Sequence, residues 1–292
     1  MPSGSRPDVN PWLQPEPANW WPVVDDALAE DVGYGDITGG CLEIDRLARW
    51  SIEAESDGIV CGLGVAEHLL APFGGDPEEC NLYVHAADGE RISRGQVLMD
   101  GVLPARRAVL TERTALNFLM HLSGVATLTA AFVAKVQGTG ARIVDTRKTL
   151  PGLRALQKYA VRCGGGHNHR MGLYDGALIK DNHIAALGSV TAAIERVRTY
   201  ASHMVKIEVE CETMAQVQEA VEAKADVIML DNMDPFQMRE AVQAHKGACI
   251  FEASGGISLD TVRGVANTGV ELISVGALTH SAISIPFHME FS

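Results

Sequence analysis

The sequence predicts an α/β protein whose larger part is a barrel-type wall of parallel strands. Three observations carry that expectation. Apolar strand-like runs alternate with amphipathic segments through the second half of the chain, which is the pattern of parallel βα units. The last four runs recur about every 22 residues, spacing that favours a barrel wall over an open sheet with long excursions. Chemically capable residues fall at or just after the ends of six of these runs, the face on which parallel barrels build their sites.

Bulk composition sets the frame. A chain of 292 residues holds two domains or one large barrel, and 47% hydrophobic with 21% charged residues fits a globular protein with a sizeable core. The net charge is −13, yet residues 145–183 hold Arg147, Lys148, Arg154, Lys158, Arg162, Arg170 and Lys180. A cationic island in an acidic chain points to a pocket for a small polyanion and away from a nucleic-acid surface, which reads as a basic domain. No run approaches the roughly 18 consecutive apolar residues of a membrane span. The N-terminus lacks a basic segment followed by an apolar run, so neither a secretory signal nor a membrane is expected. The six cysteines are scattered without a CxxC pair, which favours reduced thiols in the cytoplasm over disulfides or a zinc site.

The elements follow in order. Residues 1–21 are proline-rich and polar and read as a loosely ordered arm. PVVDDALAEDVG reads as a short helix closed by a turn at Gly33 and Gly35. From Trp50 to about Val102, alternating segments cut by Gly and Asp read as strands and hairpins. Residues 105–136 are helix-compatible, with Gly124 expected to divide them into two helices. Strand-like runs follow at 141–145, 177–180, 205–210, 226–230, 249–253 and 271–276, with amphipathic segments such as SVTAAIERVRTYA and TMAQVQEAVEAKA between them.

The residues at the run ends form a chemical set. Thr146, Arg147 and Lys148 follow the first run; Lys180 ends the second, Glu210 the third, and Asp231 follows the fourth. Arginines such as Arg147 and Arg170 grip a carboxylate or phosphate through paired hydrogen bonds, Lys148 and Lys180 add point charges, and His169 supplies a further donor. Arg154, Lys158 and Arg162, on one predicted helix, read as solvated charges or ion-pair partners instead. The glycine-rich GGGHNH segment (164–169) can offer backbone N–H groups to an anion, although a glycine run is more often a flexible loop. His167 and His169 without a third nearby ligand do not make a zinc site. Glu210 and Asp231 can bind Mg²⁺ or ribose hydroxyls, or stabilise developing positive charge. EASGGIS and SVGALTH each turn on glycine after a strand, which suits a phosphate at the last two strands of a barrel. Together these describe a phosphosugar site beside a pocket for a small dianion or trianion.

Several segments resemble quinolinate phosphoribosyltransferase: EDVGYGDIT (30–38), ERTALNFLMHLSGVATLT (112–129), DTRKTLPGLRALQKYAVRCGGGHNHRMGLYDGALIKDNHI (145–184), VKIEVECET (205–213), IMLDNM (228–233), FEASGGI (251–257) and ISVGALTH (273–280). The likeness runs from about residue 22 onward, and DTRKTLPGLR with GGGHNHR is its most specific part. The resemblance implies an N-terminal α/β sandwich over 22–125, joined by the tail 281–292, and an incomplete, about seven-stranded α/β barrel over 126–280, like other type II phosphoribosyltransferases. It implies transfer of phosphoribose from phosphoribosyl pyrophosphate to quinolinate with decarboxylation, giving nicotinate mononucleotide, pyrophosphate and CO₂ for NAD synthesis, with Mg²⁺. By resemblance, Arg113, Arg147, His169, Arg170 and Lys180 hold quinolinate, with Lys148 near both substrates. Glu210 and Asp231 face the ribose and Mg²⁺, and Ser254, Gly255, Gly256, Gly276 and Ala277 cradle the 5′-phosphate. The catalytic set is then Lys148, Glu210 and Asp231. Arg113 is implied to cross from the neighbouring subunit of a homodimer.

Three rivals stand beside this reading: a protein of the same fold acting on another acid such as nicotinate, a Schiff-base lyase or aldolase using Lys180 or Lys148, and a non-catalytic binder of an anionic metabolite. Several clustered cations favour a diacid, because a monoacid leaves some of them unmatched. A Schiff-base lysine leaves both glycine turns and both carboxylates underused.

Overall fold

The chain is described by a computed structural model over residues 20–43, 46–71 and 80–292. Of the expected N-terminal arm, only Trp20 and Trp21 fall within the described residues, and Trp21 already opens the first helix. In chain order the first elements are α1 (Trp21–Val32), β1 (Leu47–Ala54), β2 (Gly58–Ile59), α2 (Leu63–Leu70), β3 (Asn81–Val84), β4 (Arg91–Ile92), β5 (Val97–Pro104) and α3 (Ala105–Val136). Then come β6 (Arg142–Val144), α4 (Arg154–Cys163), β7 (Ala177–Ile179), α5 (Asp181–Leu187), α6 (Val190–Tyr200), β8 (Ile207–Cys211) and α7 (Met214–Glu222). The last are β9 (Val227–Asp231), α8 (Pro235–Ala244), β10 (Ile250–Ser254), α9 (Val262–Ala266), β11 (Leu272–Ser274), α10 (Ala277–His280) and β12 (Phe287–Phe291).

The chain divides into two units. Among the described residues, the first comprises those within 20–130, 150–165 and 281–292; the second comprises 131–149 and 166–280. In the first, four antiparallel strands lie in the order β12-β1-β5-β3, so the C-terminal tail supplies an edge strand beside β1. Trp50, Ile52 and Ala54 alternate along β1 and are buried, as a strand with one covered face requires. α1 ends where expected: Gly33 takes φ 51° and its N–H donates to the Ala29 carbonyl at 3.0 Å.

α3 departs from expectation. It runs unbroken through Gly124, because there the glycine serves packing and not termination. A Cβ on Gly124 would overlap the carbonyl oxygen of Ile283, so the missing side chain is what lets the tail cross the helix. α3 is also long and apolar enough to cross a membrane by length and composition. Leu116, Leu119, Leu122, Val125 and Ala126 are nevertheless buried in the fold, which marks a core helix.

The 150–165 segment, expected within the barrel part, groups with the first unit. The Tyr159 hydroxyl donates to Asp88 at 2.8 Å, and Gln157 Nε2 lies 2.9 Å from His121 Nε2. Lys158 is only 1% exposed, so of the two readings its sequence left open, solvated charge or ion-pair partner, the first does not hold. Residues 156–161 of α4 are all buried, which leaves this side chain no route to bulk water.

The second unit is a six-stranded parallel sheet in the order β6-β11-β10-β9-β8-β7. Parallel pairing needs crossovers, and α6, α7 and α8 supply them with sequence-encoded starts. Ser189 accepts from the Ala192 N–H, Thr213 and Gln216 form a capping box, and Asp234 accepts from the N–H groups of Phe236 and Gln237. β6 and β7 are the ends of the order and do not pair with each other, so the barrel is open. A single parallel bridge between Val144 and His167 adds a rudimentary seventh position next to β6. Replacing Gly124 by valine forces the helix and tail apart. We expect a loss of about 2 kcal/mol or more, typical of overpacking, seen as a lower melting temperature of the purified protein.

Candidate active site

Alternation along the parallel strands aims one residue set inward. Lys206, Glu208 and Glu210 share a side of the β8 segment, as do Ile250, Glu252 and Ser254 on β10, and Leu178 and Lys180 at β7. At the C-terminal ends of the strands Leu178, Lys180, Glu210, Glu252 and Ser254 from this set help surround a cavity of about 370 Å³. Its lining includes Arg147, Lys148, His169, Arg170 and Lys180 on the cationic side and Glu210 and Asp231 on the anionic side. The Ser254-Gly255-Gly256 turn completes it.

Each group is held by local chemistry. The Lys148 N–H donates to the Thr146 hydroxyl at 2.9 Å, and the Lys148 carbonyl accepts from the Thr279 hydroxyl at 2.8 Å. Asp145 is fully buried; its carboxylate accepts from the His169 N–H at 2.9 Å and from Asn168 Nδ2 at 2.5 Å. That clamp ties the loop after α4 to the end of β6. Lys180 pairs with Glu210 across neighbouring strands β7 and β8. Arg170 donates to the Gly176 carbonyl at 3.1 Å. Burial, and after it the charge of Arg147, draws the Arg170 pKa below its ordinary value, although a guanidinium stays charged at any working pH. Gly255 has φ 99°, and a Cβ there would overlap the Asn232 side chain and approach its main-chain nitrogen. The close turn therefore needs glycine.

Three expected site residues are not among those lining this cavity. Arg113 is on α3 in the first unit, 60% exposed, with its guanidinium 3.7 Å from Glu112. Gly276 and Ala277 do not line the cavity among the described residues. Gly276 instead lies under the Lys148 side chain, where an added Cβ would come within 3.0 Å of Cδ.

Sequence reasoning missed the buried layer beneath the cations. His169 Nε2 lies 2.8 Å from Glu208 and 3.7 Å from Glu252, and both carboxylates are nearly fully buried. The signal was available: two charged residues sit inside strands whose neighbours are apolar, where burial is the default. One nitrogen and two carboxylate donor atoms lie within 4.8 Å of one another, a spacing that a metal ion could bridge. The ring nitrogen is already hydrogen-bonded to Glu208, so the cluster reads as a buried hydrogen-bonded group. Burial, and secondarily Glu208, push the Glu252 pKa up to about 8. Asn232, also unforeseen, lines the cavity and lies 2.7 Å from Asp231 through its Nδ2.

An open parallel barrel with a cation-rich, carboxylate-bearing cavity at its C-terminal rim offers a site for small polyanions. Similarity to known proteins gives the family. Quinolinate phosphoribosyl transferase, N-terminal domain, matches residues 36–123, and the C-terminal domain of the same family matches residues 125–290. The chain belongs to the quinolinate phosphoribosyl transferase family. It is 43% identical over 261 residues to a probable nicotinate-nucleotide pyrophosphorylase [carboxylating] of Bacillus subtilis, covering 89% of each chain. It is 45% identical over 260 residues to nicotinate-nucleotide pyrophosphorylase [carboxylating] of Mycobacterium leprae, covering 87% of this chain and 91% of the relative. Among solved structures, NadC from Streptococcus pyogenes superposes with a TM-score of 0.89 at 38% identity, over 95% of this chain and 98% of that one.

The raised Glu252 pKa carries a stability consequence. An acid whose folded pKa exceeds its unfolded value contributes stability that is fully present below the unfolded pKa, near 4.5, and is lost as pH rises through about 8. Glu252→Gln removes that dependence. Melting temperatures measured from pH 5 to 9 should therefore fall less steeply for the variant than for the parent.

Proposed function

We infer that this protein transfers phosphoribose from phosphoribosyl pyrophosphate to quinolinate and releases CO₂, giving nicotinate mononucleotide and pyrophosphate in NAD biosynthesis. The observation that carries the reading is the single cavity in which Arg147, Lys148, Arg170 and Lys180 face Glu210, Asp231 and the Ser254–Gly256 turn. Quinolinate brings two adjacent carboxylates, whose repulsion and lost hydration need several fixed cations as compensation. Arg147, Arg170 and Lys180 take that role, with His169 beside them and Lys148 reaching toward both substrates. Ser254, Gly255, Gly256, Gly276 and Ala277 receive the 5′-phosphate, and Gly276 also lies against the Lys148 side chain.

The reaction balances without a redox cofactor. The ring nitrogen forms a bond to C1 of the ribose as the C1–pyrophosphate bond breaks. The sugar is cationic in the transition state, and Glu210 and Asp231 stabilise it by charge. The ring nitrogen then carries a positive charge, which stabilises the electron pair left on C2 when the neighbouring carboxylate departs as CO₂. A proton replaces it at C2. Glu210 and Asp231, hard oxygen donors facing one cavity from adjacent strands, fit Mg²⁺ either directly or across the ribose. The ion, when bound, neutralises charge on the leaving pyrophosphate.

The working unit is a homodimer in which Arg113 of one copy completes the cation set of the other. Its support is the exposed position of Arg113 in the first unit, together with the family resemblance. The six free thiols favour a reducing compartment, in keeping with the cytoplasm.

The direct test follows pyridine ultraviolet absorbance with quinolinate, phosphoribosyl pyrophosphate and Mg²⁺. Turnover of nicotinate as fast as quinolinate would overturn the diacid reading. Glu210→Gln and Asp231→Asn should each lower kcat by about 10²–10³, the scale of lost transition-state electrostatics, while quinolinate still binds in calorimetry. For the dimer, inactive Arg113→Ala and Lys180→Ala proteins mixed at equal concentration should recover about a quarter of the parent activity. Half the dimers are then mixed, each with one intact site. No recovery after subunit exchange removes the crossing arginine.

A further inference from the structure

The proposed reaction leaves the layer below the cavity unassigned. A second cavity of about 440 Å³ lies on the side of the strand N-termini, lined by Arg142, Lys206, Val227 and Ile250 among others. His169, Arg170 and Glu252 line both cavities, so they belong to the partition between them. Glu208 faces the lower one.

The hydrogen bonds in this partition have a direction. The Arg170 main-chain N–H donates to His169 Nδ1 at 2.8 Å. A ring nitrogen that accepts carries no proton, so the ring proton is on Nε2, which faces Glu208 Oε2 at 2.8 Å. Glu252 is 3.7 Å from the same nitrogen, beyond hydrogen-bond reach, which leaves Glu208 as the acceptor. The His169 main chain is fixed separately through its N–H to Asp145. Order therefore passes from a buried carboxylate to a ring, and from the ring to the backbone of a cavity-lining arginine.

We propose that Glu208 is a positioning residue for the reaction: it holds His169 as the Nε2–H tautomer, so that Nδ1 anchors the Arg170 main chain and sets where its guanidinium meets the acid. This rests on reading the upper cavity as the quinolinate site. A carboxylate does this better than a neutral acceptor, since charged acceptors make the shorter and stronger bonds. Glu208 is only 7% exposed, which limits the water that competes for the ring proton. The pattern matches second-layer carboxylates that fix histidine tautomers at metal sites, transferred here to an anion pocket.

Two measurements on the full-length protein decide it. ¹⁵N NMR of histidine-labelled protein should show His169 neutral and protonated on Nε2, and Glu208→Leu should abolish that signature while Glu208→Gln keeps it. A wild-type ring protonated on Nδ1 overturns the proposal, whatever the substrate proves to be. In kinetics, Glu208→Leu should raise KM for quinolinate about tenfold or more with KM for phosphoribosyl pyrophosphate unchanged, and Glu208→Gln should raise it less than about threefold. In a His169→Ala background, adding Glu208→Leu should change KM by less than about twofold. Equal loss for both substrates, or a full additional loss without the histidine, overturns it. Should Glu208→Leu fail to fold, Glu208→Gln decides alone: its tautomer signature must survive. A wild type that ignores quinolinate but shows the Nε2–H ring refutes the substrate reading and leaves the tautomer assignment standing.

Discussion

Four cations facing one cavity repel one another, and holding them there is the constraint the rest of the second unit answers. Arg170 registers the strain: burial and Arg147 lower its pKa. The counter-charges are built into the strands. Glu210 pairs with Lys180 at the rim and Glu208 lies beneath His169, while Glu252, held toward its protonated form by burial and by Glu208, adds a largely neutral carboxyl to the same layer. A surface ion pair would give little in this role, being screened and solvated. Buried carboxylates act in a less polarisable medium and keep their positions because packing denies them alternatives.

The strand layer makes this charge arrangement possible. Parallel strands offer two faces, and every second residue of β8 and β10 points to the same side. The interior of an ordinary barrel is packed with branched apolar residues in layers. Here one layer is polar, with Glu208 and Glu252 in place of such residues, and cavities lie on both sides of it. Fold and chemistry are thus coupled: the geometry that aligns the rim also dictates that whatever supports it from below must be buried.

In the first unit the constraints are steric. α3 and α4 meet their neighbours through residues with no side chain to spare. Gly124 admits the main chain at Ile283, and Gly164 admits the carbonyl of Ala126. Two hydrogen bonds, from Tyr159 to Asp88 and between Gln157 and His121, fix α4 in that unit although its neighbours in sequence, β6 and β7, belong to the other. A chain that leaves one unit for sixteen residues and returns carries no local mark of doing so.

The sequence by itself determined the parallel βα alternation, the six strand ends and the cation-plus-carboxylate set at one rim. Each depends on periodicity or on residue type at an element boundary, which are local properties. It also determined the helix starts at Ser189, Thr213 and Asp234, because a cap is made by a side chain three residues or fewer from the amide it satisfies. Tertiary structure alone decided what depends on partners distant in the chain. Gly124 stands inside a helix because residue 283 crosses there, Lys158 is buried because α4 is enclosed, and residues 150–165 join the first unit. The Glu208–His169–Arg170 arrangement belongs to this second kind. Its members lie up to 39 residues apart, and neither the ring's tautomer nor its acceptor exists until the strands are in register.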